Sequence, residues 1–275
     1  IGGKIGDTTA LGTIAINATG SGTGDITIAQ IGKDNLTSGV TGTVSIGNTS
    51  TDLVDFDGRY FSMNGALTVK SASGEKIKFT GTGATTVITA DDAITFNTGD
   101  IQTAQDLTIN SAGGPIIIGN VYGSATATTL TINADSTAGG AAGDTTETVT
   151  IGAIGTDNEI GAVLIDAHDG ITLTGDIALA DAAGADLNLD GPVLISGDVT
   201  IDNDNTTDDG TIDFESTIDG VSGDSADDDL VIKAGDNDTN ASPGGLLTFG
   251  GAIGDTVPLT TLKINDQAGT IIIDL

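Results

Sequence analysis

The chain lacks cysteine and tryptophan, contains only 4 prolines, and has an aromatic content of 3%. Without cysteine, disulfide bonds and thiolate metal sites are impossible. With so few aromatic residues, the core must be built mainly from Ile, Leu, Val and Ala. No apolar run approaches the ~20 residues that a membrane span needs, so we expect no membrane insertion.

Basic residues are scarce, with 8 Lys and Arg against 39 Asp and Glu, for a formal net charge of −31. A chain of this charge repels phosphate backbones and anionic lipids, which argues against nucleic acid as a partner. Cations are the natural partners of such a surface. The same charge favours solubility of a protein rich in β-structure.

Glycine is abundant, at 42 of 275 residues, but it follows no strict Gly-x-y period, which excludes collagen. No segment has convincing helical periodicity, and Thr, Gly and β-branched residues dominate. Apolar–polar–apolar triplets recur instead, bounded by the turn-forming residues Gly, Asp and Asn. They include Ile14–Ile16, Ile26–Ile28, Val44–Ile46, Leu67–Val69, Ile77–Phe79, Ile94–Phe96, Leu107–Ile109, Leu130–Ile132, Val149–Ile151, Ile171–Leu173, Leu187–Leu189, Val199–Ile201, Ile212–Phe214, Leu230–Ile232, Leu246–Phe249 and Leu262–Ile264.

Short strands with small core residues and irregular spacing are typical of stacked coils, none of which can bury its apolar residues alone. The sequence therefore predicts an all-β protein with one right-handed parallel β-helix, or β-solenoid, over residues 1–275. Inward Ile, Leu and Val should stack on their counterparts in adjacent coils, and outward Thr should form ladders. About a dozen coils at ~4.8 Å would give a rod roughly 60 Å long. The Gly-Ala stretch Ala138–Gly143 is expected to be a long corner.

Two phrases in the last third are shared with a known kind of repeat: TIDFESTIDG with DLVIKAG (Thr211–Gly220, Asp229–Gly235), and LLTFGGAIGDTVPLTTLKIN (Leu246–Asn265). DLTIN (Asp106–Asn110) and DVTI (Asp198–Ile201) echo them. The chain resembles the β-strand repeats of giant bacterial surface and secreted proteins, the filamentous-haemagglutinin-like adhesins. The resemblance implies a secreted or cell-surface role in adhesion, stalks, matrix or filaments, without catalytic residues.

The two ends of the sequence read as strand, at Ile1–Ile5 and Thr270–Leu275. An uncapped solenoid exposes open strand edges. We therefore expect the chain either to continue into adjoining repeats of a longer protein or to stack end to end with copies of itself.

Acidic turns between residues 202 and 240 are candidates for Ca²⁺ binding, because alternating Asp and Asn side chains can supply the six to eight oxygens that this ion takes. The alternative is a set of solvated turns held by side-chain hydrogen bonds. The candidate ligands are Asp202, Asp204, Asp208, Asp209, Asp227, Asp228, Asp229, Asp236 and Asp238.

An aromatic cluster departs from the pattern at Leu53–Gly65 (LVDFDGRYFSMNG), which also holds the only Arg and the only Met. Such a cluster in an aromatic-poor chain predicts either a corner insertion over the side of the helix or a patch that contacts a partner. The candidate assembly contacts are Phe56, Arg59, Tyr60 and Phe61 here, and Ile271, Ile272 and Ile273 in the last strand.

His168 is the sole histidine and lies between acids in DAHDG. It is a candidate metal ligand or base, although a solvated surface corner is the simpler interpretation because no second His and no Cys exist. Polygalacturonase-like β-helix enzymes share Gly-His-Gly and Arg-Ile-Lys motifs, which this chain lacks. Glycoside hydrolysis nevertheless stays an alternative, because a pair of carboxylates can catalyse it and the chain contains the pairs Asp91-Asp92 and Asp208-Asp209.

We therefore predict a non-enzymatic structural or adhesive extracellular protein. A carbohydrate-active β-helix enzyme or a polysaccharide-binding module that contacts surface glycans is the alternative.

Overall fold

Alternation of apolar and polar residues produces strands of only two to six residues in the computed structural model. The structure describes residues 1–16, 24–33, 39–97, 99–124, 128–135, 146–182, 184–203, 210–223, 228–234, 245–265 and 272–274. The predicted corner Ala138–Gly143 lies outside them. No helix in these ranges could cross a membrane.

The strands follow one another through short turns. The first ten are β1 (Lys4–Ile5), β2 (Ile14–Ile16), β3 (Gly24–Ile28), β4 (Gln30–Ile31), β5 (Val44–Ile46), β6 (Thr51–Phe56), β7 (Tyr60–Ser62), β8 (Leu67–Lys70), β9 (Lys76–Phe79) and β10 (Thr85–Ile88). The next ten are β11 (Ile94–Asn97), β12 (Asp100–Thr103), β13 (Leu107–Asn110), β14 (Ile116–Ile118), β15 (Val121–Tyr122), β16 (Thr129–Asn133), β17 (Thr148–Ile151), β18 (Ala162–Asp166), β19 (Gly170–Leu173) and β20 (Ile177–Ala178). The last are β21 (Leu187–Asp190), β22 (Val193–Ile195), β23 (Asp198–Asn203), β24 (Ile212–Phe214), β25 (Ile218–Gly220), β26 (Asp229–Ala234), β27 (Leu246–Phe249), β28 (Thr261–Asn265) and β29 (Ile272–Asp274).

Three parallel sheets run side by side along the molecule. Sheet 1 has 11 strands in the order β1-β4-β7-β10-β13-β16-β18-β21-β24-β27-β29, and sheet 2 has 9 in the order β2-β5-β8-β11-β14-β17-β19-β22-β25. Sheet 3 has a 5-stranded part, β15-β12-β9-β6-β3, and a 4-stranded part, β20-β23-β26-β28, which single bridges from Ile154 to Val121 and Ile177 join. Because the chain visits the three sheets in turn, the fold is a parallel β-helix, as predicted.

Register sorts the side chains by type. Along sheet 1, buried apolar residues stack on one another from coil to coil: Phe61, Val87, Ile109, Ile132, Ile165, Leu189, Phe214 and Phe249. The outward position beside them carries a threonine ladder of Thr86, Thr108 and Thr131. The predicted inward and outward ladders are both confirmed.

Coil length varies because the turns vary while the strands stay in register. Hydrogen bonds between adjacent coils join residues 22 apart at Thr89 and Ser111, 23 apart at Asp106 and Thr129, and 33 apart at Asn133 and Asp166. This variation explains why the triplets recur irregularly along the sequence.

All 6 phenylalanines lie in the core. Phe79 stacks on Phe56 at 5.0 Å between ring centroids and meets Phe96 edge-on at 6.0 Å, while Phe214 stacks on Phe249 at 5.6 Å. The expectation of a corner insertion at Leu53–Gly65 is therefore wrong, since β6 and β7 are regular strands. The segment departs from the triplet pattern because its inward positions hold phenylalanine and methionine.

Many aspartates hold neighbouring coils together. Asp106, Asp176 and Asp186 each precede a strand, and each Oδ1 accepts the backbone N–H of a threonine one coil further on: Thr129 at 2.9 Å, Thr200 at 2.7 Å and Thr211 at 2.7 Å. The carboxylate thus satisfies an amide that a corner would otherwise leave without a backbone partner. Part of the acidic composition is therefore structural.

Replacing Phe79, at the centre of the phenylalanine stack, tests the core. We expect Phe79→Ala to lower the free energy of unfolding by about 3–5 kcal/mol, and Phe79→Leu by less, because leucine refills part of the cavity. Urea unfolding followed by circular dichroism measures both. Tyr60→Ala removes a partly exposed ring and is the control; a loss as large as that of Phe79→Ala would contradict the assignment of Phe79 to the core.

Candidate functional site: an acidic corner

Polar residues end four neighbouring strands of sheet 1 at the same register. Asn110 pairs with Asn133, Asn133 with Asp166, and Asp166 with Asp190. Glu215 lies one coil beyond, where its N–H donates to Leu189 at 3.0 Å. Because coils stack at ~4.8 Å, the acidic side chains are held close to one another.

The turn that follows this stack adds further ionisable side chains. Ala134 and Ala167 are fully buried and let the chain turn tightly towards sheet 2. His168 and Asp169 follow in that turn, and Glu147 precedes β17 at the same corner. We call this group the acidic corner; its members are Asp135, Glu147, Asp166, His168, Asp169, Asp190 and Glu215.

Burial and the crowding of carboxylates in the acidic corner raise the pKa of two of its members, Asp166 and Asp190. Burial first, then the charges of Asp135, Asp190, Glu215 and Glu147, raise the pKa of Asp166 to about 6. Burial and the charges of Glu215 and Asp135 raise the pKa of Asp190. Two amides offset part of this repulsion: Asn133 Nδ2 donates to Asp166 Oδ2 at 3.4 Å, and Asn188 Nδ2 donates to Glu215 Oε1 at 2.7 Å.

His168 provides the only imidazole of the chain and is 64% exposed at its side chain. Its Nδ1 lies 3.4 Å from Asp169 Oδ1 and 3.8 Å from Glu147 Oε2. A charged imidazole can form ion pairs with these carboxylates, and a neutral one can join them as a metal ligand. Sequence reasoning raised His168 as a candidate but favoured a solvated surface corner, and it missed Glu147, because the coil boundaries that bring the two together are not visible in the triplets.

Two surface depressions accompany these features. One of about 280 Å³ lies on the outer face of sheet 1 and is lined in part by Leu164, Asn188 and the acids Asp166 and Asp190. Another, of about 490 Å³, lies where sheet 2 turns into sheet 3. Its polar lining is Asn120, Thr156, Thr174, Asp176 and Asp198.

Two of the three predicted calcium ligands that the structure describes, Asp202 and Asp228, have protein partners. Asp202 pairs with Lys233, 2.7 Å from Nζ to Oδ2, because the two residues stack in β23 and β26. Asp228 is buried and accepts the N–H groups of Gly197 and Val221, both at 3.0 Å.

Asp202 and Asp228 therefore have structural contacts within the chain, and calcium binding by them stays a prediction. Asp229 stacks on Asp198, a pair of like charges that a cation would stabilise. Asp204, Asp208, Asp209, Asp227, Asp236 and Asp238 lie outside the described residues, so calcium binding there stays a prediction.

The predicted assembly contacts differ in their exposure and in their place in the fold. Phe56 and Phe61 are fully buried, so they cannot contact a partner, and this expectation is corrected: their inward register places them in the core. Arg59 is exposed, and its guanidinium carbon lies 5.7 Å from the centroid of the Tyr60 ring. Ile271 lies outside the described residues, while Ile272 and Ile273 belong to β29 at one edge of sheet 1.

Comparison with known proteins does not identify the chain: no family model, no curated protein and no solved structure matches it.

The raised pKa of Asp166 makes stability depend on pH. The folded state binds the proton of the Asp166 carboxyl group more tightly than the unfolded state does. The protonated carboxyl therefore contributes to stability near pH 4, and this contribution is lost as pH rises towards about 6. We expect Asp166→Asn to stabilise the protein near neutral pH by about 1 kcal/mol, a figure discounted for solvent screening. Thermal unfolding at acidic and neutral pH measures the difference. Asp57→Asn, at an exposed position, is the control, and an equal gain for both variants would count against the corner as the cause.

Asp228→Ala tests the structural role of a predicted calcium ligand. Loss of a buried carboxylate that accepts two amide hydrogen bonds should lower the free energy of unfolding by about 2–3 kcal/mol. We expect the same loss in calcium and in chelator, measured by urea unfolding. Ser222→Ala, at an exposed neighbouring position, is the control. A loss of stability that occurs only in calcium would show that Asp228 acts as a calcium ligand.

Proposed function

We propose that this chain is a non-enzymatic structural segment of an extracellular or cell-surface assembly, a rigid rod that holds or joins other parts of a surface fibre, matrix or adhesin. The observation that carries the proposal is the uninterrupted ladder of sheet 1, 11 parallel strands with an apolar core along its length. At ~4.8 Å per strand, this ladder is roughly 50 Å long.

The surface chemistry supports the same role. Acids outnumber basic residues 39 to 8, and the threonine ladders present hydroxyl groups along the sheets. Like-charged rods repel one another sideways, which favours contacts at their ends over lateral clumping. The likeness of the strand phrases at Thr211–Gly220 and Leu246–Asn265 to adhesin repeats adds support for a surface location.

Assembly through strand edges is part of the proposal. Among the described strands, β1 and β29 form the two edges of sheet 1. A parallel strand added at either edge continues the same ladder, whether it comes from a second copy or from adjoining repeats of a longer chain. Calcium bound by the acidic turns between residues 202 and 240 would stabilise one end of such a rod.

A polysaccharide-binding role is the second candidate, and the depression between sheets 2 and 3 is the observation that favours it. Its hydroxyl, amide and carboxylate groups, among them Thr156, Thr174 and Asp198, can hydrogen-bond to sugar hydroxyls. The carboxylates Asp176 and Asp198 are where a hydrolytic activity would have to reside.

Small-angle scattering and electron microscopy, in calcium and in chelator, test the rod. We expect unbranched rods whose length is roughly 50 Å or a multiple of it, with the multiples increasing as protein concentration rises. If the longer rods form only in calcium, the acidic turns take part in assembly. A compact particle without a rod-like scattering profile would overturn the proposal.

A screen with acidic and neutral polysaccharides separates the two functions. The structural role predicts no turnover. Binding without turnover would favour the second candidate, and release of sugar products would overturn the non-enzymatic role.

A further inference from the structure

The outer face of sheet 2 is almost free of charge in a strongly acidic protein. Within its 9 strands, all of which lie in the described ranges, Lys70 and Asp219 are the only charged residues. Register places the outward residue at the middle of each strand in one continuous row, which we call the neutral face together with the residues beside it. From β2 to β25 the row is Ala15, Ser45, Thr68, Thr95, Ile117, Thr150, Thr172, Leu194 and Asp219.

The single acid of this row is covered by the chain itself. Asp219 is 7% exposed, and its Oδ1 accepts the N–H groups of Thr256 and Val257 at 2.9 and 3.2 Å. Lys70 is the last residue of β8 and lies at the border of the face. The rest of the row, from Ala15 to Leu194, therefore presents no charge to solvent.

The strands of the other two sheets carry acids on their outer faces. Asp166 and Asp190 stack on one another outside sheet 1, and Asp198 stacks on Asp229 in sheet 3. The chain has a net charge of −31, so two copies that met through either of these faces would bring like charges together at a cost in free energy. Among the three faces that the described strands form, the neutral face is where two copies can meet without that cost.

The centre of the neutral face is its most apolar point. Ile117 lies in β14, the fifth of the 9 strands, and is 47% exposed between Thr95 and Thr150 of the adjacent coils. Removal of such a side chain from water is favourable. Acids such as Asp92 and Asp169 lie in the turns just before the strands, at the border of the face. An uncharged centre with a charged rim is the usual arrangement of a protein–protein interface.

The size of the neutral face fits a weak, specific contact. Eight strands at ~4.8 Å give a length of about 38 Å, and about five residues across at ~3.3 Å give a width of about 16 Å. Two such faces would bury about 1,200 Å² in total, the lower end of the range of about 1,200–2,000 Å² for specific interfaces. We therefore expect association that depends on protein concentration.

We propose that the neutral face of one copy packs against the neutral face of a second copy, forming a side-by-side dimer of rods. A two-fold contact uses the same patch on both copies, and an axis near Ile117 brings the two uncharged centres together. The acids of sheets 1 and 3 then face outward and repel a third rod, so lateral association stops at two. This pairing is separate from the end-to-end contacts of the proposed function and does not depend on them.

Sedimentation velocity and small-angle scattering of the complete chain test the dimer over a series of protein concentrations. We expect a monomer–dimer equilibrium that shifts towards the dimer as sodium chloride is added, because salt screens the repulsion between the acids of the two copies. The scattering cross-section should widen while the length stays that of one rod. A chain that stays monomeric at every concentration, or that doubles in length without widening, would overturn the proposal.

Two variants of equal charge assign the contact to one face. Ile117→Asp places an acid at the centre of the neutral face and should raise the dimer dissociation constant about tenfold or more, because the contact would bury that charge. Leu164→Asp is the matched control: Leu164 is 42% exposed on the outer face of sheet 1, and its replacement should leave the dimer unchanged. Circular dichroism checks that both variants are folded. An unchanged dimer in Ile117→Asp, or an equal loss in both variants, would overturn the proposal.

Discussion

In-register stacking of parallel coils is the constraint on which the rest of this structure depends. Each residue lies on its counterpart in the neighbouring coil at ~4.8 Å, so whatever occupies one position determines what its neighbours must tolerate. Inside, the rule is satisfied by apolar residues such as Ile109 on Ile132, and by the ring stack of Phe56 on Phe79. A coil of this size cannot bury such side chains alone, and it becomes stable only because the coils on either side cover them.

The same rule brings like charges together on the outer face. Asp166 lies beside Asp190 because β18 pairs with β21, and the raised pKa of Asp166 is the electrostatic consequence. The protein reduces this repulsion in three ways. Side-chain amides donate to acids of the stack, as Asn133 does to Asp166. Lys233 lies against Asp202, and aspartates such as Asp186 turn their oxygens to backbone N–H groups of the next coil. A net charge of −31 is compatible with a regular solenoid because many acids have local partners of this kind.

How far the sequence predicts this protein follows from what stacking makes visible. Triplets with alternating polarity predict the strands, the β-helix and the threonine ladders, since inward and outward positions repeat along the chain. They do not predict which strands pair or which turn residues lie side by side in adjacent coils, because turn length varies. The burial of Phe61 depended on its pairing with Val87, and the approach of Glu147 to His168 on the pairing of β17 with β19. Both lie beyond any local pattern. For the aromatic segment, sequence reasoning offered a corner insertion or a contact patch and did not predict core strands, because composition indicates that a residue type is unusual but does not indicate the direction in which it points.

A rod of this construction also changes what a weak lateral site can do. The acidic corner lies on the side of the β-helix, between sheets 1 and 2, and not at an edge where a further strand would pair. A ligand bound there would therefore leave the strand edges free. If copies join end to end, the corner recurs at a fixed interval of roughly 50 Å along one side. Ligands that bridge such sites bind with an effective concentration set by that spacing, so an array can hold a multivalent partner that a single corner would release. Under the proposed end-to-end assembly, a rigid repeat that spaces identical weak sites would combine structural support with adhesion.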